Sequence, residues 1–271
     1  MMSTRPIGCS GPKNRWRGPD FGAIVRHVVV DHFGETVAAE YDSDEAEMFA
    51  PAVLGPAVEF LAGLAGSGAA LELGIGTGRV ALPLRERGVP VHGIDLSEAM
   101  LSRLRAKPGG ERISVTAGDF ARTGVPGEFG LVYLVFNTIN NLTTQDEQVD
   151  CFRNAARHLV PGGHFAIEVG VPDLQKLPFG ESHVPFDFRA DHVGVDEYDV
   201  AHQGLISHHF WKRDGRWHLD STPFRYVWPA ELDLMARIAG MRLVERWADW
   251  DRSPFTSTST KHISVWRKSA G

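Results

Sequence analysis

An α/β fold is predicted from the sequence: a seven-stranded, mostly parallel sheet with an antiparallel last strand, covered by helices on both faces and carrying a separate antiparallel β excursion. Three observations point to it. From Ala69 onward, short apolar runs alternate with amphipathic stretches, the pattern of strands buried on both faces between crossover helices. The first run ends in "LELGIGTGRV", residues 71–80, where three glycines alternate with other residues. The last two runs are joined by "SPFTSTST", too short for a helical crossover, so they should pair antiparallel.

The parallel strands are read at residues 69–75, 89–96, 113–120, 131–139 and 164–170, with helices in the gaps between them. The helix after the glycines starts at Arg79, carries Val80, Leu82 and Leu84, and ends near Gly88. The next takes Ser97 as N-cap and presents Met100, Leu101 and Leu104. A third opens at about Thr144 with the capping pattern "TQDE" and stops at Pro161 and Gly162.

From Val171 to about Val227 the chain turns rich in His, Asp, Trp and Phe, with turn signals at "HQG" and at Asp214–Gly215. That reads as three or four antiparallel strands forming a lid or substrate platform. Pro229 then opens a helix closed by Gly240, and residues 241–250 and 261–268 supply the last two strands. The expected organisation is a flexible leader (1–20), an N-terminal segment with the ligand-binding core (21–170), the β region (171–227) and a C-terminal helix and strands completing the core (228–271).

A chain of 271 residues with 43% hydrophobic content can bury one full core plus an accessory piece. Its net charge of -6 argues against nucleic acid as partner. Cys9 and Cys151 stand in unlike contexts, so no disulfide framework is expected and a cytoplasmic setting fits. No apolar run reaches membrane-spanning length and no signal-peptide order opens the chain, so neither a membrane nor export is expected. A small molecule is the expected partner.

Gly74, Gly76 and Gly78 between a strand and a helix offer free amides and a positive helix end at the carboxyl edge of the sheet, which suits a nucleotide-like ligand. Asp95 lies 19 residues beyond Gly76, the place of a ribose-binding acid. "GTGRVA" also satisfies the dinucleotide pattern, so a nicotinamide-dependent oxidoreductase is the competing reading. Against it, Glu72 would repel a pyrophosphate but suit an ammonium group. Asp119 and Phe120 offer a carboxylate and an aromatic face to an adenine, and the antiparallel end of the sheet replaces a second mononucleotide half.

The motifs "LELGIGTG", "GIDLSEAML", "AGDF" and "HLVPGGHFAIE", in this order, resemble the class I S-adenosylmethionine-dependent methyltransferases, Rossmann-like three-layer sandwiches, over about residues 40–170. The resemblance implies that Gly74, Gly76 and Gly78 lie under the methionine part of the cofactor, with Glu72 serving its amino group. Asp95 would bind the ribose hydroxyls, Leu96 and Met100 would pack near the adenine, Asp119 would accept from the adenine amino group, and the backbone of Phe120 would meet the ring edge. Phe136 would lie beside the sulfonium. Residues 38–51 resemble the "YD" helix of many small-molecule methyltransferases, in which Tyr41 would cover the methyl group or touch the cofactor carboxylate. Asp42, Asp44, Glu45 and Glu47 read as a solvated face.

The implied reaction is in-line methyl transfer to an amine or hydroxyl of a small acceptor; a non-catalytic cofactor-binding module is the third reading. A two-residue turn at Asp214–Gly215 would set His209 opposite Asp220 on one face with Trp211 and His218, a candidate base with its carboxylate. The alternative is a plain polar pair on the outer face, with Phe210, Trp217 and Leu219 on the packed side. Glu168, Asp173, Asp187, Asp191 and His192 lack the helical pair spacing of a metal site, and no metal is expected. The β excursion most resembles that of bacterial secondary-metabolism enzymes, where it shapes the substrate site and often joins two subunits, so a homodimer is possible. The amino-sugar N-methyltransferases among them carry a His shortly after the fourth strand; Asn140 and Asn141 here count against an amino-sugar acceptor.

Overall fold

The computed structural model describes residues 34–44 and 46–270; the expected leader, residues 1–20, lies outside them. Helix α1 (Glu35–Asp44) and a 3-10 turn (Ala46–Phe49) precede α2 (Pro51–Ala65). Pro51 opens α2 where no amide is needed, and Leu54, Val58 and Leu61 bury its inner face.

The parallel strands are β1 (Ala70–Leu73), β2 (Val91–Asp95), β3 (Ser114–Ala117), β4 (Phe129–Leu134) and β5 (Leu159–Gly170). They alternate with α3 (Ala81–Glu86), α4 (Glu98–Ala106) and α5 (Gln145–His158), and α6 (Pro229–Ile238) leads into β10 (Met241–Trp247) and β11 (Lys261–Lys268). The sheet order is β10-β11-β5-β4-β1-β2-β3. Strand β11 slots antiparallel between β5 and β10, as the short connection requires. On one face Phe152 of α5 meets Phe165 and Trp266 edge-on at 5.0 and 5.3 Å. On the other, α2 and α3 cover Leu131, Tyr133 and Val265.

Local signals hold where they are local. Ser97 accepts from the Met100 amide, and Thr144 and Glu147 form a reciprocal capping box at the start of α5. Three expectations need correction. The helix after the glycines begins at Ala81 instead of Arg79. Strand β4 ends at Leu134 instead of residue 139, because the chain turns left-handed at Phe136 (φ 55) and Asn137 (φ 59). Pro161 and Gly162 do not stop α5, which ends at His158; they lie inside β5, beside a register irregularity against β4.

A helix was expected between β3 and β4, and the connection is irregular instead. Helix α5 satisfies its backbone: Asn154 donates to the carbonyls of Phe120 and Thr123 at 2.8 and 2.9 Å, and His158 accepts from the Val125 amide at 3.0 Å. Long-range side chains here do what helical hydrogen bonds do elsewhere.

The excursion is a four-stranded antiparallel sheet of β6 (His183–Phe188), β7 (His192–Asp199), β8 (Gly204–Arg213) and β9 (Arg216–Arg225). Asp214 (φ 51) and Gly215 (φ 74) form the two-residue turn, and the register sets Arg213 against Arg216 and His209 against Asp220, as the turn predicts. The alternative that puts Trp217 and Leu219 on the packed side does not hold: they are 51% and 52% exposed, whereas His209 lies among aromatic rings. Val184, Tyr198 and Leu205 on the His209 face pack against Leu174, Leu177 and Tyr226, which fixes which face turns inward. Buried Arg225 ties the sheet to the core through Gln148 (2.5 Å) and Glu231 (2.8 Å).

Candidate functional site

The site is built at the carboxyl edge of the parallel strands, where β1 runs into the glycine loop. A Cβ on Gly74 (φ +72) would stand 2.5 Å from Thr138 Cγ2, so the loop and the turn after β4 touch only because that side chain is missing. Gly76 (φ +55) meets no such crowding; its amide donates to Asp95 Oδ2 at 2.7 Å. Asp95 Oδ1 accepts from the Ser97 amide at 2.9 Å, so one carboxylate at the end of β2 fixes both the loop and the start of α4.

Asp42 is not part of a solvated face. It accepts from Thr77 Oγ1 at 2.6 Å and pairs with Lys107 at 2.5 Å, while Lys107 also donates to the Thr77 carbonyl at 2.9 Å. Helix α1 is thereby pinned to the glycine loop, and Tyr41, one residue earlier, lines a cavity of about 40 Å³ together with Glu72, Gly74 and Phe136.

Glu72 is buried in the middle of the sheet and accepts from Tyr133 Oη at 2.9 Å. Burial pushes its carboxyl up to about 8, against the opposing pull of the Tyr133 hydrogen bond and of Arg79. Tyr133, also buried, is held well above the ordinary tyrosine range and stays a donor. A neutral acid facing a cavity is a group that gains from an incoming cation.

At the end of β3, Asp119 Oδ1 accepts from the Ala121 amide at 2.8 Å. The Phe120 ring joins the hydrophobic core, so it offers no open aromatic face to a ligand; only its backbone faces that role. Met100 is buried and Leu96 half-buried along the same edge.

The turn after β4 was missed as a turn. The Phe136 amide donates to Glu168 Oε2 at 3.1 Å and the Asn137 amide to the Glu168 carbonyl at 3.3 Å. Asn137 Oδ1 accepts from the Gly170 amide at 2.7 Å. Two adjacent left-handed residues that are not glycine cost about 1–3 kcal/mol each, and this network over-determines them. The ring of Phe136 lies under the Arg79 guanidinium, 4.8 Å from its centroid.

Glu168 also accepts from Trp250 Nε1 at 3.0 Å and pairs with Lys261 at 3.4 Å; Lys261 meets Asp249 at 2.9 Å. These residues form one wall of a second cavity of about 300 Å³, whose other wall is apolar: Met48, Val53 and Leu54. It shares Arg79, Val80 and Val135 with the smaller cavity. Neither is lined by His209 or Asp220.

His209 and Asp220 do face each other across the strands, yet Asp220 is exposed and, among the described residues, no hydrogen bond joins the two. The orienting carboxylate is Asp187. His192 Nδ1 lies 2.5 Å from Asp187 Oδ2, and His192 Nε2 lies 3.0 Å from His209 Nδ1. A carboxylate can only accept here, so His192 donates from Nδ1 to Asp187 and turns Nε2 towards His209. The His192 hydrogen bond, with Arg189, holds Asp187 below the usual carboxylate range; burial and then His192 lower His209. Asp187 meets His192 across the β6–β7 connection and His192 meets His209 across the β7–β8 connection, and neither register is legible from the turn signals alone.

A glycine loop clamped by an acid on the next strand, a buried carboxyl beside it and an antiparallel pair closing the sheet define the class: a Rossmann-like, S-adenosylmethionine-dependent methyltransferase. Residues 70–163 match the family model described as a methyltransferase domain. The chain is 39% identical to the CcbJ methyltransferase from Streptomyces caelestis, over 88% of this chain and 98% of that one, with a TM-score of 0.78. It is 28% identical over 200 residues to the cypemycin N-terminal methyltransferase of a Streptomyces species, covering 72% of this chain and 81% of the relative. The fold also matches S-adenosylmethionine-bound CalS10, an amino pentose methyltransferase from Micromonospora echinaspora, at 18% identity and TM-score 0.64, over 84% and 96% of the two chains. The chain belongs to the S-adenosylmethionine-dependent methyltransferases, and the oxidoreductase reading falls.

Proposed function

We propose that the chain carries a methyl group from S-adenosylmethionine to an amine or hydroxyl of a small acceptor, binding the cofactor over residues 74–78 and the acceptor in the 300 Å³ cavity. The observation that carries this reading is Glu72: among the described residues its one hydrogen bond comes from Tyr133, and it faces the cavity beside the glycine loop. A buried carboxyl so placed fits the amino group of the cofactor. Asp95 binds the ribose hydroxyls, Asp119 and the Phe120 backbone serve the adenine edge, Leu96 and Met100 pack beside it, and Tyr41 and Phe136 flank the reacting methyl. Once bound, the cofactor supplies an electrophilic methyl on a sulfonium with a neutral thioether as leaving group. The chain's part is then to align the acceptor and exclude water, with α1 and the β6–β9 sheet as covers.

An amine acceptor must be neutral at attack and needs no base of its own. The relative named for the N-terminus of cypemycin supports nitrogen as the acceptor atom. A hydroxyl acceptor would need a base, and His209, oriented through His192 by Asp187, could serve only an acceptor that extends beyond the cavity towards the small sheet, since it lines neither cavity. The outer face bearing Trp217 and Leu219 fits a second copy of the chain, and the free buried thiol of Cys151 fits a cytoplasmic setting. Isothermal titration with S-adenosylhomocysteine tests the site: micromolar binding in wild type, lost by more than about tenfold in Asp95→Asn and Glu72→Gln, is expected. Equal affinity in all three proteins refutes the assignment of these acids.

A further inference from the structure

Arg79 follows the last glycine of the loop, is half-buried, and lines both the 40 Å³ and the 300 Å³ cavity. Its guanidinium has the Phe136 ring face for company. Among the described residues it makes no hydrogen bond and no ion pair. A ring face attracts the charge but satisfies none of the five N–H donors.

Among the described residues, none of the acids that line these cavities pairs with it. Lys261, the other cation on these walls, is already paired with Asp249 and Glu168. Both oxygens of Glu168 are occupied, one by the Phe136 amide and the other by Trp250 and Lys261. Glu72 is close enough to feel Arg79, but burial keeps it protonated until about pH 8. A planar fork of donors thus lies over the Phe136 ring, lining these two cavities and a third of about 510 Å³, and among the described residues no carboxylate is paired with it.

We propose that Arg79 is a carboxylate anchor, taking the carboxylate of a bound ligand through paired N–H···O bonds at the junction of the two cavities. It rests on the methyl-transfer reading and adds to it the ligand group that this wall selects. Two ligands carry such a group to this place: the cofactor, through its amino-acid end, and an acceptor bearing an acid. Arg suits the task better than Lys because its fork matches a carboxylate two bonds at a time.

The test titrates the full-length protein with S-adenosylmethionine and with decarboxylated S-adenosylmethionine, in wild type, Arg79→Gln and Arg79→Lys. If the cofactor's carboxylate is the one held, Arg79→Gln weakens S-adenosylmethionine by about 10- to 100-fold. The decarboxylated ligand, which also reports that the variant is folded, binds as before, and Arg79→Lys recovers part of the loss. If the acceptor's carboxylate is held, the ratio of the two affinities is the same in wild type and Arg79→Gln. Benzoate then binds the S-adenosylhomocysteine complex of wild type and not that of Arg79→Gln. An unchanged ratio together with equal or absent benzoate binding in both proteins overturns the anchor while leaving the cofactor site standing. Wild type that binds neither adenosine ligand overturns the cofactor site and the anchor with it.

Discussion

Replacing Glu72 by Gln removes a titrating proton from the centre of the sheet and leaves an oxygen to accept from Tyr133. In the wild-type fold this carboxyl titrates at about 8 instead of 4.5. Between those values the folded protein holds a proton that the unfolded chain has released, so stability falls as pH rises through the window and is lowest above it. At about 1.4 kcal/mol per pH unit the ceiling is roughly 5 kcal/mol, or on the order of 10 °C in Tm for a chain of this size. Thermal unfolding from pH 5 to 9 should therefore show a steep alkaline decline in wild type and a shallow one in Glu72→Gln, with the two curves crossing on the way up. The same proton must leave when an ammonium arrives, so S-adenosylhomocysteine binding near pH 7 should release close to one proton in wild type and none in the variant. Titration in buffers of different ionisation enthalpy measures it. Identical alkaline slopes in the two proteins, or no proton release from wild type, would refute the reasoning.

Other residues give separate readouts. His262 is buried with Nε2 unpartnered and is lowered to about 4, first by burial and then by Arg246; the unfolded chain binds the extra proton, so stability falls as pH drops from about 6.5 towards 4, and His262→Gln should flatten that acid limb in the same unfolding series. Thr144→Ala breaks the capping box of α5 and should cost about 1 kcal/mol in denaturant unfolding, with an unchanged m-value. Gly74→Ala forces a Cβ to within 2.5 Å of Thr138 Cγ2 at a positive φ and should cost more than about 1 kcal/mol, with weaker S-adenosylhomocysteine binding by titration. Asp42→Ala frees Thr77 and Lys107 and should weaken S-adenosylhomocysteine severalfold while moving Tm by only a few degrees, since the carboxylate is 41% exposed.

What could be read in advance was what a few neighbouring residues decide among themselves. The Thr144–Glu147 box and the Asp214–Gly215 turn are closed by contacts three residues apart or fewer, and the turn alone carried the whole β8–β9 register. The glycine loop was legible because a strand ending in alternating glycines leaves few other uses for them. The inward face of the small sheet was not, because Leu174, Leu177 and Tyr226 choose it from outside the sheet. Asp42 reads as one more acid in an acidic run until Thr77 and Lys107 are folded beside it. His209 was placed correctly against Asp220 but given the wrong companion, since His192 and Asp187 reach it across two further strands. Arg79 reads only as the start of a helix, although a cation directly after a glycine loop is a sequence-visible oddity.

One carboxylate, that of Glu168, serves the Phe136 turn, Trp250 and Lys261 together. Any change at Trp250 or Lys261 therefore disturbs, in the same step, the support under the turn that carries the Phe136 ring. Drift towards new acceptors should proceed by the opposite wall, at Met48 and Val53, which line the same cavity and share none of those bonds. The chamber has one side where selection can experiment and one where every experiment is also a change in chemistry.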